Sequence, residues 1–515
     1  MTMSRNTLAI LVIVFLSVVS TGSAQQQTLG KTLFSLSNGD GVPLPSNSVS
    51  HLLFAKSTGT LWAGTSRGLA KTSDPNLQLW QDFGGIAQFA QPGIFALDVH
   101  GDSIWAATGY SKEVDNSSVQ TGSGYAYSTD NGVTWNSRPQ PLDASNDSVV
   151  MYGANRIHFL PIVVPEQNVT FDLALTDSLV WIASWSSGIR KSSDLGQTWQ
   201  RIVLPKTTAS SIRPSDSLGD YVMDPRRDNN FLGFSVLAMG RDTVWAGTAG
   251  GVNVSTDRGS SWRHISVDNQ TSSIAGDWIV AIAAQPLTGH TRVWTTNWPG
   301  DGPNQQYAVS YTDDFGATWV KSLRGLKVYA FAFHDSIAYA AADDGVYRTS
   351  DGGISWLRSG TVEDPHTGQR ISSSTFYSVA TIADTVIGAG PDGLARTIDN
   401  AAHPFGSDWT VIRSYVPSVS PSFVYAYPNP FAPSQQVTRF HYTTGTSAAL
   451  VNIELFDFGM NRVRTVLYGA SRIGESDDLW NGLDDHGRLV PNGVYFYRIT
   501  IGSDKPAWGK ILVVD

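Results

Sequence analysis

The side chains of this 515-residue sequence that could do chemistry sit in a few long polar stretches. Asp115, Asp224, Asp228, Asp301 and Asp364 are carboxylates, and two of them facing each other across a sugar would suffice for glycoside hydrolysis. Trp185 and Trp298 each follow directly on a short Trp-containing strand and could lay a flat apolar ring against a ligand. Tyr110, Lys112, Glu113, Arg156, His158, Arg213, Tyr221, Arg226, Arg227, His366 and Arg370 stand in the same stretches. Each of these residues also reads as an ordinary solvated loop residue. The elements that hold the loops therefore decide which of them can meet.

Composition narrows the chemistry. The chain has no cysteine, which removes disulfides, thiolate metal sites and a Cys nucleophile. Its 10 histidines are scattered without metal-ligand spacing, so no metal or cofactor is expected. A net charge of −9 and a pI near 5.5 leave no broad basic face for nucleic acid. With 41% hydrophobic, 11% aromatic and only 15% charged residues, the chain is a folded, aromatic-rich protein. Arg5, the short apolar run 8–19 and the small residues before Gln25 predict a secretory signal peptide of residues 1–24. No later segment reads as a membrane span, so a secreted or cell-surface mature chain is expected, and a bacterial source suits an exported chain without cysteine.

The elements follow from repetition. "STDNGVTW" (128–135) returns as "SSDLGQTW" (192–199), "STDRGSSW" (255–262), "TDDFGATW" (312–319) and "TSDGGISW" (349–356). Degenerate copies stand at 72–80 and 397–409. Upstream of each lies a strand of one type: "TLWAGT" (60–65), "SIWAAT" (103–108), "LVWIAS" (179–184), "TVWAGT" (243–248), "RVWTTN" (292–297), "SIAYAAA" (336–342) and "TVIGAG" (385–390). Seven units of four short antiparallel strands thus fill residues 49–415, after a lead-in of 25–48. Small sheets at this period protect their edges by closing into a ring, so the chain is expected to be all-β with a seven-bladed β-propeller. In each turn the carboxylate of Asp130, Asp194, Asp257, Asp314 or Asp351 can accept backbone N–H groups. The glycine supplies positive φ. Trp135, Trp199, Trp262, Trp319 and Trp356 are expected to bury their rings between blades.

These turns resemble the Asp boxes (BNR repeats) of sialidases, sortilin-type receptors, xyloglucanases and photosystem-assembly propellers. The resemblance implies a structural motif at the hairpin between third and fourth strands, away from the ligand site. Residues 44–69 are also similar to the sensor propellers of hybrid two-component regulators. A sialidase would need three arginines, an acid Asp and a Tyr–Glu pair, usually announced by an R-I-P stretch; "NRIHFLP" (155–161) matches that poorly and falls late. The xyloglucanase type normally uses two such propellers, and one fits here.

Strand alternation puts the Asp turns on one face with short connections, and the long connections on the other. The stretches 110–123, 137–168, 204–233, 297–306 and 360–374 are therefore expected to form the functional face. Its ligand-binding candidates are Tyr110, Trp185, Arg213, Tyr221, Arg226, Trp298, Asp301 and Arg370. An extracellular glycan or protein is the expected partner, with an Asp-box glycoside hydrolase as the alternative.

Past a Pro/Ser-rich linker (416–426), residues 427–515 alternate like a small Ig-like β-sandwich. "YPNPF" (427–431), "LWNGLDDHGRLVPNGVYFYRI" (479–499) and "GKILVVD" (509–515) resemble the FlgD-like Ig domain that serves as a type IX secretion sorting signal. That resemblance implies recognition by outer-membrane secretion machinery.

Overall fold

The computed structural model describes residues 43–514 except 90, 92, 115–116, 415–423, 434–436 and 445–447. The expected signal peptide, most of the lead-in, Asp115 and most of the 416–426 linker lie outside the described residues. The chain divides into two compact units, Met1–Tyr415 and Val416–Asp515.

In the first unit, turn residues cut the strand-forming runs into seven successive antiparallel sheets: 49–82, 93–138, 170–201, 233–265, 278–322, 328–358 and 378–412. They are numbered here as blades 1 to 7. Each has four strands in chain order, and blade 4 gains a short fifth strand, Ser211–Ile212, against its outer one. The first strand of every blade packs on the first strand of the next, and that of blade 7 returns to blade 1. The first strands are therefore innermost, and the unit is a β-propeller.

Among the described residues the ring closes by packing rather than by strand exchange. Leu44, Val49, Leu52 and Leu61 share a core with Ala380, Ile387, Leu394 and Ile412. Each fully buried Leu or Ile there contributes about 1.5–3 kcal/mol. The Leu52 N–H donates to Ser378 Oγ (2.9 Å), and Asn47 accepts the N–H groups of Gly393 and Ser414 (2.6 and 2.7 Å).

The repeated Asp turns share one geometry. In the first, Ser128 Oγ donates to Asp130 Oδ1 (2.7 Å) and accepts the Gly132 N–H (2.8 Å). Asp130 also accepts the Thr134 N–H and hydroxyl (2.8 and 2.6 Å). Asp194, Asp257, Asp314 and Asp351 take the matching bonds. Two left-handed residues follow the Asp, as in Asn131 (φ 55°) and Gly132 (φ 79°), and a Cβ on Gly132 would lie 2.8 Å from Trp62 Cη2 of blade 1. The glycine is thus the point where the turn touches the preceding blade.

The tryptophan that ends each turn completes that contact, though not always as a fully buried ring. Trp135 lies 6.2 Å from Trp62 and 5.2 Å from Phe83, both of blade 1. Trp199 lies 5.5 Å from Tyr125 of blade 2, and Trp262 shares a core with Trp181 of blade 3. Trp319 meets Trp245 of blade 4 edge-on at 6.3 Å, and Trp356 meets Trp294 of blade 5 the same way at 5.9 Å. Trp262 and Trp319 are buried as expected, whereas Trp135, Trp199 and Trp356 are only half-buried. The difference comes from what lies outside the ring. Trp262 is covered by Tyr152 and Ile212 from the connections beside it, and Ser272 bonds the Trp319 backbone from outside (2.8 and 3.3 Å). Trp356 instead keeps one edge open and donates its indole N–H to Ser322 Oγ (2.7 Å).

A cation from each blade reaches the turn of the next. Lys71 Nζ donates to the Asn131 carbonyl (2.6 Å), Arg138 Nε to Leu195 (2.9 Å) and Lys191 Nζ to Arg258 (2.7 Å). Arg263 reaches Gly316 (3.0 Å), Arg292 reaches Gly352 (2.6 Å), and Arg348 pairs with Asp399. Arg396 closes the circle on the Pro75 carbonyl of blade 1 (2.8 Å). In five of the seven the acceptor is the backbone carbonyl of a left-handed turn residue: Asn131, Leu195, Arg258, Gly316 or Gly352.

Two long connections depart from expectation. Loop length predicts 137–168 and 204–233 over the long-loop face. Instead Val149–Tyr152, Asn155–Phe159 and Val222–Met223 form a separate three-stranded sheet. Its Tyr152, Ile157 and Met223, with Ile212 and Tyr221, share a core with Trp181 of blade 3 and Trp262 of blade 4. Tyr152 Oη donates to the Ser260 carbonyl inside the blade 4 Asp turn (2.6 Å). The physical reason is radial: blades diverge outward, and apolar side chains of the connection fill the wedge rather than face water.

The second unit has two antiparallel sheets. Tyr425–Tyr427, Thr438–Thr443 and Glu475–Trp480 form one; Ala449–Phe456, Arg462–Arg472, Gly493–Ile501 and Ala507–Val513 form the other. Phe431, Phe440, Tyr442, Trp480, Tyr497 and Ile511 are in their common core.

Candidate functional site: an aromatic collar on the inner strands

Six of the seven inner strands break register at the same place, skipping Ser50, Phe95, Phe171, Phe234, Val280 and Tyr329. A bulge re-aims the extra side chain, and here four of the six are aromatic. Blade 7 pairs without a break, and Tyr377 stands just before its inner strand. These positions lie at the starts of first strands, beside the ends of second strands, on the face opposite the Asp turns.

Of these, Phe171, Phe234, Tyr329 and Tyr377 join neighbouring rings in one cluster. Phe171 lies 6.4 Å from Trp185 and 5.9 Å from Phe234, and Phe234 lies 5.3 Å from Trp278. Trp185 meets Trp278 at 6.0 Å. On the blade 5–6 side, Trp298 contacts Tyr307 (6.0 Å) and Tyr329 (5.8 Å), and Tyr329 contacts Tyr377 (5.6 Å). Edge and tilted contacts of this kind add about 0.5–1.5 kcal/mol each beyond area burial. Trp185, Trp278, Trp298 and Phe234 are buried, while Phe171, Tyr307, Tyr329 and Tyr377 remain partly exposed. Lys327 Nζ sits 4.1 Å above the Trp298 ring, and burial holds its pKa below the usual lysine range. The buried Trp278 indole N–H makes no hydrogen bond among the described residues.

Deeper along the inner strands stand three titratable groups. Burial draws the pKa of His51 down to about 4 and pushes that of Asp98 up to about 6. Asp172 is pushed up to about 7, by burial first and then by the negative charge of Asp98. All three keep some contact with solvent while hemmed in by neighbouring strands. Both carboxylates tie blades together: Asp98 accepts the Leu175 N–H of blade 3 (2.8 Å) and Asp172 the Val236 N–H of blade 4 (2.9 Å).

Of the residues predicted from sequence, Trp185 and Trp298 come together in the collar, but as its buried layer rather than as open platforms. Large rings with aromatic neighbours gain more from contact than from exposure. The others do not join them. Tyr110 lies half-buried on a hairpin arm, Ser103–Val114 and Ser117–Ser128, where loop was expected; Lys112 pairs with Glu166. Tyr221 is buried, with its hydroxyl on the Leu204 carbonyl (2.8 Å) and Lys206 over its ring. Arg213 is exposed and shares a cleft with Asp314 and Phe315 of the blade 5 Asp turn. Arg226 and Arg227 pair with Asp224 (2.8 and 3.5 Å). Asp228 caps the turn at Asn230, and Asp364 caps the one at His366 (3.0 and 2.9 Å). Arg156 and His158 lie in the strand Asn155–Phe159 of the separate sheet, and Asp301, His366 and Arg370 are exposed. Phe95, Phe171, Phe234, Trp278, Tyr307, Tyr329 and Tyr377 were missed. For all but Tyr307, which precedes a third strand, the signal was an aromatic at the start of a first strand, as in "GIFAL", "VTFDL", "LGFSV" and "KVYAF".

The collar offers flat rings, phenol hydroxyls, one amine and one free indole N–H. That set suits a ligand with apolar faces and hydroxyl or carbonyl edges, and among the described residues of the collar there is no nucleophile–base pair. Among the described residues no group of three or more His, Asp or Glu side chains could hold a metal ion, and no helix is long and apolar enough to cross a membrane.

Neither a family model nor a curated protein matches the chain. Among solved structures it is similar to a GH74 enzyme of Niastella koreensis, at 14% identity and a TM-score of 0.50, over 92% of this chain and 74% of that one. It is also similar to PorZ of Porphyromonas gingivalis, described as a surface component of the type-IX secretion system: 12% identity, TM-score 0.42, 92% of this chain and 66% of that one. The extracellular domain of a putative one component system from B. thetaiotaomicron is similar at 11% identity and TM-score 0.29, over 92% and 80%. The chain spans just under two thirds of PorZ. At 14% identity the likeness to the GH74 enzyme is one of fold alone.

Proposed function

We propose that the chain is an exported, cell-surface or secreted propeller that binds an extracellular glycan or protein at the aromatic collar. The observation that carries this reading is the convergence of bulged inner-strand aromatics with Trp185, Trp278 and Trp298 on the face opposite the Asp turns. Seven Asp-box blades form the rigid carrier. The signal peptide 1–24 directs export, and the C-terminal unit is an Ig-like, FlgD-type domain read by outer-membrane secretion machinery of the type IX kind.

Glycoside hydrolysis is the second reading. Asp98 and Asp172 favour it: they stand on the packed first strands of blades 2 and 3, burial raises both pKa values, and the negative charge of Asp98 raises that of Asp172 further. The binding reading is preferred because each already holds a backbone N–H of the next blade. The test is a glycan array and a peptide library on the protein lacking residues 1–24, with a chromogenic glycoside panel alongside. Binding that disappears in Tyr329→Ala supports the collar. Hydrolysis abolished by Asp172→Asn would replace this reading with the enzymatic one.

A further inference from the structure

The blade 5–6 side of the collar carries two charges that the protein itself leaves unanswered. Lys327 stands just before the first strand of blade 6, Val328–His334, and Asp343 just after its second, Ile337–Ala342. Backbone contacts fix the pair: the Asp343 N–H donates to the Lys327 carbonyl (3.1 Å), and the Ser374 and Thr375 hydroxyls donate to the Asp343 carbonyl (both 3.1 Å). The side chains stay uncommitted. The Lys327 ammonium lies 4.1 Å over the Trp298 ring and 5.6 Å over Tyr329, and makes no hydrogen bond or ion pair among the described residues. The exposed Asp343 carboxylate takes neither from any other described residue. Each feels the other's charge, yet the two form no ion pair. Neighbouring Asp344, by contrast, is spent on the Tyr347 hydroxyl (3.0 Å) and on Arg358 (3.5 Å).

Three phenols stand beside these charges. Tyr307 and Tyr329 both touch Trp298, Tyr329 touches Tyr377, and the Asp343 charge reaches Tyr307 and Tyr329. Burial raises all three phenol pKa values, so they stay neutral hydroxyls, and none of these hydroxyls bonds a protein group among the described residues. All three tyrosines are partly exposed, as is Lys327, so their polar ends reach solvent. An ionised ligand of either sign would be drawn to one of the two free charges and repelled by the other. A hydroxyl suits both, accepting from the ammonium and donating to the carboxylate. A peptide group holds its N–H and C=O on opposite sides, whereas adjacent ring hydroxyls set an acceptor and a donor side by side, as Lys327 and Asp343 require. We propose that this side of the collar binds a neutral pyranose unit of a glycan, its adjacent hydroxyls bridging Lys327 and Asp343 and its C–H face against the exposed part of Tyr329. This assignment rests on the collar being the binding site and narrows its ligand from glycan or protein to an uncharged sugar.

The test is calorimetric titration of the full chain, and of Lys327→Met, Asp343→Asn and Tyr329→Ala, with three kinds of probe. These are neutral cello-, manno-, malto- and xyloglucan oligosaccharides, an oligogalacturonate, and the peptide best retained from the library. Saturable binding of a neutral oligosaccharide is expected, weakened about tenfold or more in each variant. Asp343→Asn keeps the side-chain shape and Lys327→Met keeps an apolar stem on Trp298, so a loss of binding in either is not a loss of fold; thermal unfolding checks this. The sugar assignment fails, with the collar reading intact, if the oligogalacturonate or the peptide binds better and Tyr329→Ala weakens it. It fails in the same way if binding of a neutral oligosaccharide survives Lys327→Met or Asp343→Asn while Tyr329→Ala loses it. Both fail if no probe binds, or if binding is equal in all four proteins.

Discussion

Replacing Gly259 by Ala tests whether the Asp turns act as contacts between blades. Gly259 sits at φ +78°, and an added Cβ would come within 2.8 Å of Trp181 Cη2, in blade 3, and 3.2 Å of Trp262 Cζ2. Left-handed backbone costs an alanine about 1–2 kcal/mol. Forcing a methyl against two packed indoles adds about 1–3 kcal/mol. Gly240 is the internal control, in the same blade at φ +66° with nothing within 4 Å of its added Cβ, so only the backbone cost applies. Urea unfolding followed by tryptophan fluorescence should therefore put Gly259→Ala about 2–5 kcal/mol below wild type and Gly240→Ala about 1–2 kcal/mol below it. A ring this size unfolding as one unit has an unfolding entropy near 0.8 kcal/mol per kelvin, so the melting temperatures should fall by roughly 3–6 and 1–3 °C. Equal losses in the two variants would refute the inter-blade reading, leaving the turn as a local hairpin device.

Two further outcomes follow from the same contacts. Lys191→Met should cost about 1–2 kcal/mol in urea unfolding, since it removes a charged donor from a carbonyl and a cation from 5.3 Å above Trp181; the more exposed Arg396→Met should cost under about 1 kcal/mol. Stability should also depend on pH in two opposite ways. Hydroxyl and backbone donors hold Asp130 and Asp194 at about 2, below the unfolded value near 4, so their contribution is complete above about pH 4 and is lost as pH falls toward 2. Asp98 and Asp172, raised to about 6 and 7, contribute fully below about pH 4 and lose that contribution as pH rises toward 7. His51, lowered to about 4, opposes them, losing its contribution as pH falls from about 6.5 to 4. Urea midpoints measured from about pH 4 to 7 should therefore rise for Asp172→Asn relative to wild type toward the neutral end, and a constant difference would contradict the assignment.

The ring of sheets was legible because its signals are local. An Asp, a Gly and a Trp at fixed spacing, and a buried Trp in each second strand from Trp62 to Trp294, repeat whatever the rest of the fold does. The repeat did not reveal how deeply each turn tryptophan is covered: Trp319 and Trp356 share one motif, yet only Trp319 is buried, because neighbouring connections differ. The collar was legible only in part. Trp185 and Trp298 were found because each ends a recognisable strand, but Phe171, Phe234 and Tyr329 depend on a bulge, and register is a relation between strands. The cation-to-carbonyl contacts were hidden for a similar reason: Lys71 and Asn131 lie 60 residues apart and meet only through the ring. Loop length misplaced 137–168 and 204–233 because it ignores the wedge between diverging blades. The alternation in "NRIHF" is the pattern that the separate sheet uses.

Ligand capture by wild type and Tyr329→Ala tests the central claim most directly. The glycan or peptide best retained from the array and library would be titrated into both proteins, with thermal unfolding as the control for folding and product analysis for turnover. The collar reading predicts binding weakened about tenfold or more in the variant, a single melting transition lowered by only a few degrees through the lost contacts to Trp298 and Tyr377, and no released product. Undiminished binding in Tyr329→Ala, or product release that stops in Asp172→Asn, would contradict it.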